Sequence, residues 1–149
     1  MKFRIYIVLG SLFIFACSGG NAFLTVEIDG QKTEVSYKVS KGDSMVVRMT
    51  SYHENGQTSI DRFYKKGIPH GNWIWYSEEG NRDTLRVYKD SLLDGKSRGW
   101  HKNGELLFEQ IFKNGQKVGN WRTWYDDQTL RSASEYNEDL LNGTVAEWY

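Results

Sequence analysis

The same short pattern occurs twice in the chain, as Gly71-Asn-Trp-Ile-Trp-Tyr76 and as Gly119-Asn-Trp-Arg-Thr-Trp-Tyr125. Both copies belong to a series in which glycine recurs every 24 residues, at Gly71, Gly95, Gly119 and Gly143. Two aromatic series keep the same step, and they are Tyr52, Tyr76, Trp100, Trp124 and Trp148, and Tyr64, Tyr88, Phe112 and Tyr136. Several series that share one ungapped period indicate an internal repeat.

Each 24-residue unit has room for two β-strands and two turns. After Tyr76 the polar turn Ser77-Glu-Glu-Gly80 leads into a second apolar run over residues 84–88. Such runs have the usual length of strands, and the breaks between them carry Glu-Gly or Asn-Gly turn signals. No stretch keeps a helical period of apolar residues. The sequence therefore predicts an all-β protein, an antiparallel meander of β-hairpins that forms an elongated, twisted sheet.

The repeats are predicted over residues 51–149, as four hairpin units and a final strand. Residues 23–50 are expected to form a divergent N-terminal β cap, in which Asp29-Gly30 separates two apolar runs as a hairpin turn does. The final strand is expected to be a sheet edge, and a sheet edge can pair with another chain. Edge-strand self-association is therefore one candidate interaction.

The N-terminus has the features of an export signal. Residues 1–16 contain Lys2 and Arg4 and then an apolar run of roughly 18 Å as a helix, too short for a hydrocarbon core of about 30 Å. The motif Ile14-Phe-Ala-Cys17 resembles the lipobox of bacterial lipoproteins. This resemblance implies that Cys17 is acylated after cleavage, that residues 17–22 are a lipidated cysteine and tether, and that the protein resides at the outer membrane. The alternative is an ordinary signal peptide followed by a chance cysteine.

Charge and cysteine content exclude several classes of protein. Nineteen Lys and Arg residues balance nineteen Asp and Glu residues, which argues against nucleic acid as a partner. Removal of Lys2 and Arg4 with the signal segment would leave the chain mildly acidic. A single cysteine cannot form an intramolecular disulfide framework or a cysteine-rich zinc site.

The titratable residues do not predict catalysis. His53 and His101 have the same phase two units apart, roughly 19 Å in an open sheet, and are expected to be solvated turn residues. His70 has no evident partner, and acidic pairs such as Glu78-Glu79 and Asp126-Asp127 fall in turns. We therefore expect no enzymatic activity, no catalytic residue, no metal site and no cofactor.

The repeat unit resembles a known family. The residues that carry the match are Gly71–Tyr76, Asn103-Gly104, Phe112-Lys-Asn-Gly115 and Gly119–Tyr125. They resemble the MORN-type repeats, in particular their bacterial variant. The resemblance implies a hairpin-repeat architecture, and the family has no catalytic residues that could be transferred to this chain.

Strand alternation predicts how the aromatic residues divide between the two faces of the sheet. The repeat core is expected to be one stripe, made of Tyr76, Trp100, Trp124 and Trp148 with Tyr88, Phe112 and Tyr136 in the intervening strands. The opposite face would then expose a candidate binding set, namely Trp73, Trp75, Trp121 and Tyr125. The alternative is that both faces are partly buried, as in a curled or closed sheet.

These observations favour a non-enzymatic, membrane-anchored lipoprotein. Its repeat sheet would serve as a scaffold that presents one face to a protein or to another component of the cell envelope. The alternative is a module that binds glycan or cell wall through exposed aromatic side chains, since aromatic-rich hairpin repeats resemble choline- and wall-binding repeats.

Overall fold

The computed structural model describes residues 15–17, 21–40 and 43–148, and the only regular structure in them is β-strand. The strands are β1 Phe15–Cys17, β2 Asn21–Ile28, β3 Gln31–Ser40, β4 Asp43–Tyr52, β5 Thr58–Lys65, β6 Ile68–Tyr76, β7 Arg82–Lys89, β8 Leu92–Leu93, β9 Gly95–Trp100, β10 Leu106–Lys113, β11 Gln116–Lys117, β12 Gly119–Trp124, β13 Leu130–Asn137, β14 Leu140–Leu141 and β15 Ala146–Glu147. The prediction of an all-β protein is confirmed. Most of the predicted signal segment and part of the predicted tether lie outside the described residues. Strand β2 begins inside that tether range, at Asn21.

All the strands form one open antiparallel sheet in which successive strands are neighbours. The order is β1 to β7, then β9, β10, β12, β13 and β14, while β8, β11 and β15 pair with β7, β10 and β13. The second strand of a repeat hairpin is interrupted once, for example at Asp94 between β8 and β9. The predicted meander of hairpins is therefore confirmed.

The N-terminal segment is continuous with the repeats. Its first hairpin pairs Ile28 with Gln31 around the two-residue turn Asp29-Gly30, whose φ angles of 51° and 75° are those of a type I′ turn. In β3, Thr33 and Val35 are almost fully buried, and the Thr33 hydroxyl lies 2.9 Å from that of Ser51 in β4. The most tightly covered part of the described sheet is thus the segment that the sequence treats as a cap.

Two kinds of turn alternate along the repeats. The tight turns have two consecutive residues with positive φ, between 50° and 85°, and they are Lys66-Gly67, Asp90-Ser91, Asn114-Gly115 and Glu138-Asp139. The longer loops each close with an N–H that donates three residues back, and that N–H belongs to Gly56, Gly80, Gly104 or Gln128. All four of these residues have positive φ, so Gln128 adopts at 69° a conformation that suits glycine.

The register of the strands defines two faces. One face, here called the aromatic face, contains the cross-strand row Ser51, Ile60, Trp75, Thr84, Gly99, Phe108, Thr123 and Ser132. The other, here called the ion-pair face, contains the row Thr50, Asp61, Ile74, Leu85, Arg98, Glu109, Arg122 and Ala133. Each row runs without interruption from β4 to β13.

The core is thin. Among the described residues, Val35 is the one hydrophobic residue that is fully buried, at 4% exposure. The residues predicted as a repeat core are half-buried, and Trp148 is 45% exposed. The prediction of a buried stripe is wrong because no second layer packs on either face of the described sheet, so side chains are shielded only by their lateral neighbours. The alternative that both faces are partly buried describes the sheet better.

Candidate binding face

The aromatic face carries a ladder of contacting rings. Trp73 in β6 lies between Tyr64 in β5 and Tyr88 in β7, with ring centroids 5.6 and 4.8 Å away. Trp121 in β12 repeats this arrangement 48 residues later, between Phe112 in β10 and Tyr136 in β13, at 5.1 and 5.0 Å. All four pairs are tilted by 47–60°, a favourable arrangement for aromatic rings.

The indole of each tryptophan is fixed at its edge as well as at its faces. The Trp73 Nε1–H donates to the Phe63 carbonyl at 3.1 Å, and the Trp121 Nε1–H donates to the Ile111 carbonyl at 3.1 Å. Burial raises the pKa of the Tyr64 phenol above its usual value, although Arg62 opposes this rise. The two clusters are therefore ordered, partly desolvated surfaces rather than loose side chains.

The division of aromatics between faces differs from the prediction. Tyr88, Phe112 and Tyr136 were expected to share a stripe with Tyr76 and Trp100, but they contact Trp73 and Trp121 instead. The reason is a β-bulge at the end of each long hairpin loop. Gly71 pairs with Tyr88, and the register shifts between Trp75 and Tyr76, which moves β7 by one residue and reverses its faces.

The predicted binding set is partly brought together. Trp73 and Trp75 lie on the aromatic face with centroids 6.3 Å apart, and Trp121 lies on the same face two strand pairs away. Tyr125 lies in the loop after β12, where its hydroxyl donates to the Trp148 carbonyl at 2.9 Å. Three members of the set therefore share one face with half of the predicted core, and Tyr125 links the last loop to β15.

Cations accompany the rings on this face. The guanidinium of Arg62 lies over Trp73 and that of Arg86 over Trp75, at 5.9 and 5.6 Å from the ring centroids. The Lys117 ammonium lies over both Trp121 and Tyr136, at 4.8 and 5.1 Å. Since cation–π contacts hold these charges against the rings, the ladder is a positively charged aromatic surface.

The ion-pair face has a different chemistry. The carboxylate of Asp61, which is 6% exposed, accepts two bonds from Arg48 at 2.7 and 2.8 Å and one from the Thr50 hydroxyl at 3.2 Å. The hydrogen bond to Asp61 raises the pKa of Arg48. An open, mostly polar groove lies against this pair and Tyr76.

A second acid on the ion-pair face is also neutralised. Glu109 accepts from Arg98 at 2.8 Å and from Lys96 at 3.1 Å. Partial burial favours the neutral acid, but the hydrogen bonds and charges of Arg98 and Lys96 outweigh it and lower the pKa of Glu109. The acids of this face are therefore committed to local ion pairs.

The histidines connect successive hairpins. His53 Nε2 lies 2.9 Å from the Tyr76 carbonyl and His101 Nε2 lies 2.9 Å from the Trp124 carbonyl. Because a carbonyl only accepts, Nε2 carries the proton in both rings. The prediction that these histidines are solvated turn residues is therefore wrong, and they join each loop to the next hairpin.

The asparagines in the same loops make a matching link. The Asn55 amide donates to the Glu78 carbonyl, and the Asn103 amide to the Asp126 carbonyl, each at 2.8 Å. These links, and the tryptophans of the ladder, recur every 48 residues. The sequence signal was the shared His-x-Asn-Gly motif at 53–56 and 101–104, which the 24-residue period alone does not explain.

Other predicted features are less fully described. Cys17 ends β1 and its backbone pairs with Asn21, while its side chain lies outside the described part of the structure. Across the described ranges, no three His, Cys, Asp or Glu side chains form a group able to hold a metal ion. Nor do these ranges contain a helix with the length and apolar character needed to span a membrane.

The comparisons with known proteins agree with the geometry. Residues 93–114, which include β8, β9 and β10, match the family model of a MORN repeat variant. Comparison with curated proteins finds no match. The chain is thus a β-sheet scaffold that contains a segment similar to a MORN repeat, built from hairpins in a single open sheet.

Proposed function

We propose that this protein is a non-enzymatic lipoprotein of the cell envelope whose repeat sheet is a scaffold for protein interactions. The observation that carries the proposal is the open sheet itself, which leaves an ordered, cationic aromatic ladder half-exposed on one face. Aromatic and arginine side chains are enriched where proteins bind other proteins. A single layer of hairpins also offers a long surface without any cleft between layers.

The proposed lack of catalysis follows from how the charged groups are used. Asp61 is bound by Arg48 and Thr50, and Glu109 by Arg98 and Lys96. A general acid or base needs a proton-transfer position that faces a substrate. The contacts of these acids favour a structural role instead.

The proposed anchor rests on the N-terminal motif. Cleavage before Cys17 and acylation of its thiol and amine would tie the sheet to the outer membrane, since each buried CH₂ contributes about 0.8 kcal/mol and several chains together bind stably. The strand pairing of Cys17 with Asn21 would then bring the lipid close to the first strand of the sheet.

The anchor is tested by labelling with radioactive palmitate in a bacterial host that processes lipoproteins. The wild-type protein should incorporate the label and enter the membrane fraction, while Cys17→Ala should do neither. Phe15→Leu, which brings the motif closer to the usual lipobox, serves as the matched control and should label at least as well as the wild type. No label in the wild type or in Phe15→Leu would contradict the anchor.

A second candidate function is the binding of glycan or cell wall. It is favoured by the composition of the aromatic face, where none of the cross-strand paired residues from β5 to β13 is acidic and several carry hydroxyls, such as Thr84, Thr123 and Ser132. Flat indoles beside hydroxyl and guanidinium donors suit sugar rings.

Sedimentation with purified peptidoglycan discriminates between the two functions. If glycan is the ligand, Trp73→Ala and Trp121→Ala should each reduce the bound fraction, whereas Trp100→Ala on the opposite face should leave it unchanged. No sedimentation of the wild-type protein, or equal losses in all three variants, would remove the glycan function and leave the protein scaffold.

A further inference from the structure

The aromatic ladder has a gap at its centre. Tyr88 and Phe112 are separated by β9, just as Tyr64 and Tyr88 are separated by β6, and just as Phe112 and Tyr136 are separated by β12. In the two outer positions a tryptophan fills the space between the rings. In β9 the equivalent residue, 24 positions from both tryptophans, is Ser97. Tyr88 and Phe112, which both belong to the described residues, make no ring contact with each other.

The gap has the same dimensions as the filled positions. Two strand spacings separate its flanking rings, about 9.6 Å, which matches the sum of the two centroid distances on either side of Trp73 or of Trp121. Gly95 occupies the place of Gly71 and Gly119 in β9, and an added Cβ at these glycines would approach Val87, Phe63 and Ile111 respectively. The backbone around the gap is therefore built like the backbone around the two indoles.

The gap also keeps the hydrogen-bond acceptor of the filled positions. The Ile111 carbonyl accepts both the Val118 N–H, at 3.0 Å, and the Trp121 indole N–H, at 3.1 Å. The Val87 carbonyl, 24 residues earlier, accepts the equivalent Asp94 N–H at 2.9 Å. A carbonyl oxygen has two lone pairs, so Val87 can accept a second donor where Ile111 accepts an indole.

The serine at the gap has an unmet hydrogen-bonding need. Ser97 is 3% exposed, and its hydroxyl has no hydrogen-bond partner within the described structure. A buried, unpaired hydroxyl is unfavourable, and a polar group of an entering ligand would remove the cost. The side chains that an entering ring must displace are those beside Ser97, namely the half-buried Gln110 and the exposed Arg86, which are both long and flexible.

We propose that the space between Tyr88 and Phe112 is a docking slot for the tryptophan side chain of a partner protein, presented in an acidic segment. The indole is specified by the equivalence with Trp73 and Trp121, which occupy the same space in the neighbouring positions. The acidic context is specified by charge, because Arg62, Arg86 and Lys117 lie over the rings of this face. This proposal rests on the protein-scaffold function and identifies its recognition element.

The test titrates the full chain by calorimetry with an acetylated Asp-Glu-Trp-Glu-Asp peptide. The wild-type protein should bind one peptide per chain. Replacing the peptide tryptophan by leucine should weaken binding by about tenfold, since two ring contacts are lost. A peptide with lysine in place of its acidic residues should also bind more weakly.

Two variants of the chain change the number of slots in opposite directions. Ser97→Trp supplies the missing ring, so it should abolish peptide binding and raise the melting temperature, which also shows that the variant folds. Trp73→Ser opens an equivalent space between Tyr64 and Tyr88, so the stoichiometry should rise from one peptide to two. The matched control Ser134→Trp, at the end of the ladder, should leave peptide binding unchanged.

Several results would overturn the proposal. They are undetectable binding of the tryptophan peptide, equal binding by the wild type and Ser97→Trp, and a stoichiometry of one in Trp73→Ser. Binding of peptidoglycan fragments that Ser97→Trp abolishes, without peptide binding, would assign the slot to glycan. Palmitate labelling of Cys17 is independent of all these results, so failure of the slot is distinguishable from failure of the anchored scaffold.

Discussion

The two faces of the sheet carry the same 24-residue aromatic period but put it to different uses. On the ion-pair face, Tyr52, Tyr76, Trp100, Trp124 and Trp148 recur at every second strand, and none of these described rings contacts another of the five. On the aromatic face a second series recurs in the same way, and there Trp73 and Trp121 lie between its members and contact both. A hairpin period separates equivalent rings by about 9.6 Å, beyond contact, so a ladder needs an additional ring in the intervening strand.

The strongest way to break this comparison is to truncate one tryptophan on each face. Trp73→Ala removes two ring contacts and an indole hydrogen bond, so it should lower the free energy of unfolding by about 2–3 kcal/mol. Trp100→Ala removes a half-buried ring without ring partners and should cost about 1 kcal/mol. Urea unfolding followed by circular dichroism measures both, and equal losses would contradict the distinction between the faces.

The ion-pair face is tested at its most buried acid. Asp61→Asn weakens two bonds from Arg48 and one from Thr50, and it should cost about 1–2 kcal/mol because Arg48 remains half-exposed and solvent moderates the loss. Arg48→Met should cost less than Asp61→Asn, since the acid would keep its bond to Thr50. A larger loss for Arg48→Met, measured by the same unfolding experiment, would contradict the central place given to Asp61.

The links between hairpins should contribute equally on both sides of the 48-residue repeat. His53→Ala and His101→Ala each remove one hydrogen bond to a carbonyl of the next hairpin, at an expected cost of about 1 kcal/mol. Lys102→Ala changes an exposed residue in the same loop and should leave stability unaltered. Thermal unfolding distinguishes these outcomes, and stability unaffected by either histidine change would return both residues to the role of solvated loop residues.

The loop that lacks glycine should be the one that can be improved. Gln128 has φ 69° where the other three loops have glycine, so Gln128→Gly should stabilise the protein by about 0.5–1 kcal/mol. The converse change Gly104→Gln, in a loop with open space around the α-carbon, should destabilise it by a similar amount. If both substitutions shifted the melting temperature in the same direction, the account of these loops would be wrong.

The smallest effect is a dependence on pH. Glu109 has a folded pKa below that of the unfolded chain, which is about 4.3 for glutamate, so it stabilises the protein above that pH and the contribution is lost as pH falls through the folded pKa. Glu109→Gln should therefore be less stable than the wild type at pH 7, and the difference should shrink below about pH 4. A difference that stayed constant from pH 7 to pH 3 would contradict the ion pairs with Arg98 and Lys96.

The sequence predicts the repeat and its strands well because the turn residues keep a fixed phase. Asp29-Gly30, Asn114-Gly115 and the glycines of the longer loops all have the positive φ that such positions require. The faces were not predictable in the same way. One extra residue in each hairpin, such as Asp83 between the pairs Tyr76–Arg82 and Trp75–Thr84, reverses the face of every later residue in its strand.

The candidate site was partly predictable for the same reason. Trp73, Trp75 and Trp121 could be placed on one face, because they alternate with Tyr76 and Trp124 inside single strands. Their contacts with Tyr88 and Tyr136 depend on pairing between strands, which the bulges decide. The hydrogen bonds of His53 and His101 depend on where the next hairpin lies, so sequence alone did not identify them.

Nuclear Overhauser contacts between aromatic rings, recorded on the folded chain, test the ladder most directly. The account predicts contacts of the Trp73 indole with Tyr64 and Tyr88, contacts of the Trp121 indole with Phe112 and Tyr136, and none between Tyr76 and Tyr88. Contacts of Tyr88 with Tyr76, in the absence of any with Trp73, would place the period on a single stripe and contradict the assignment of the two faces.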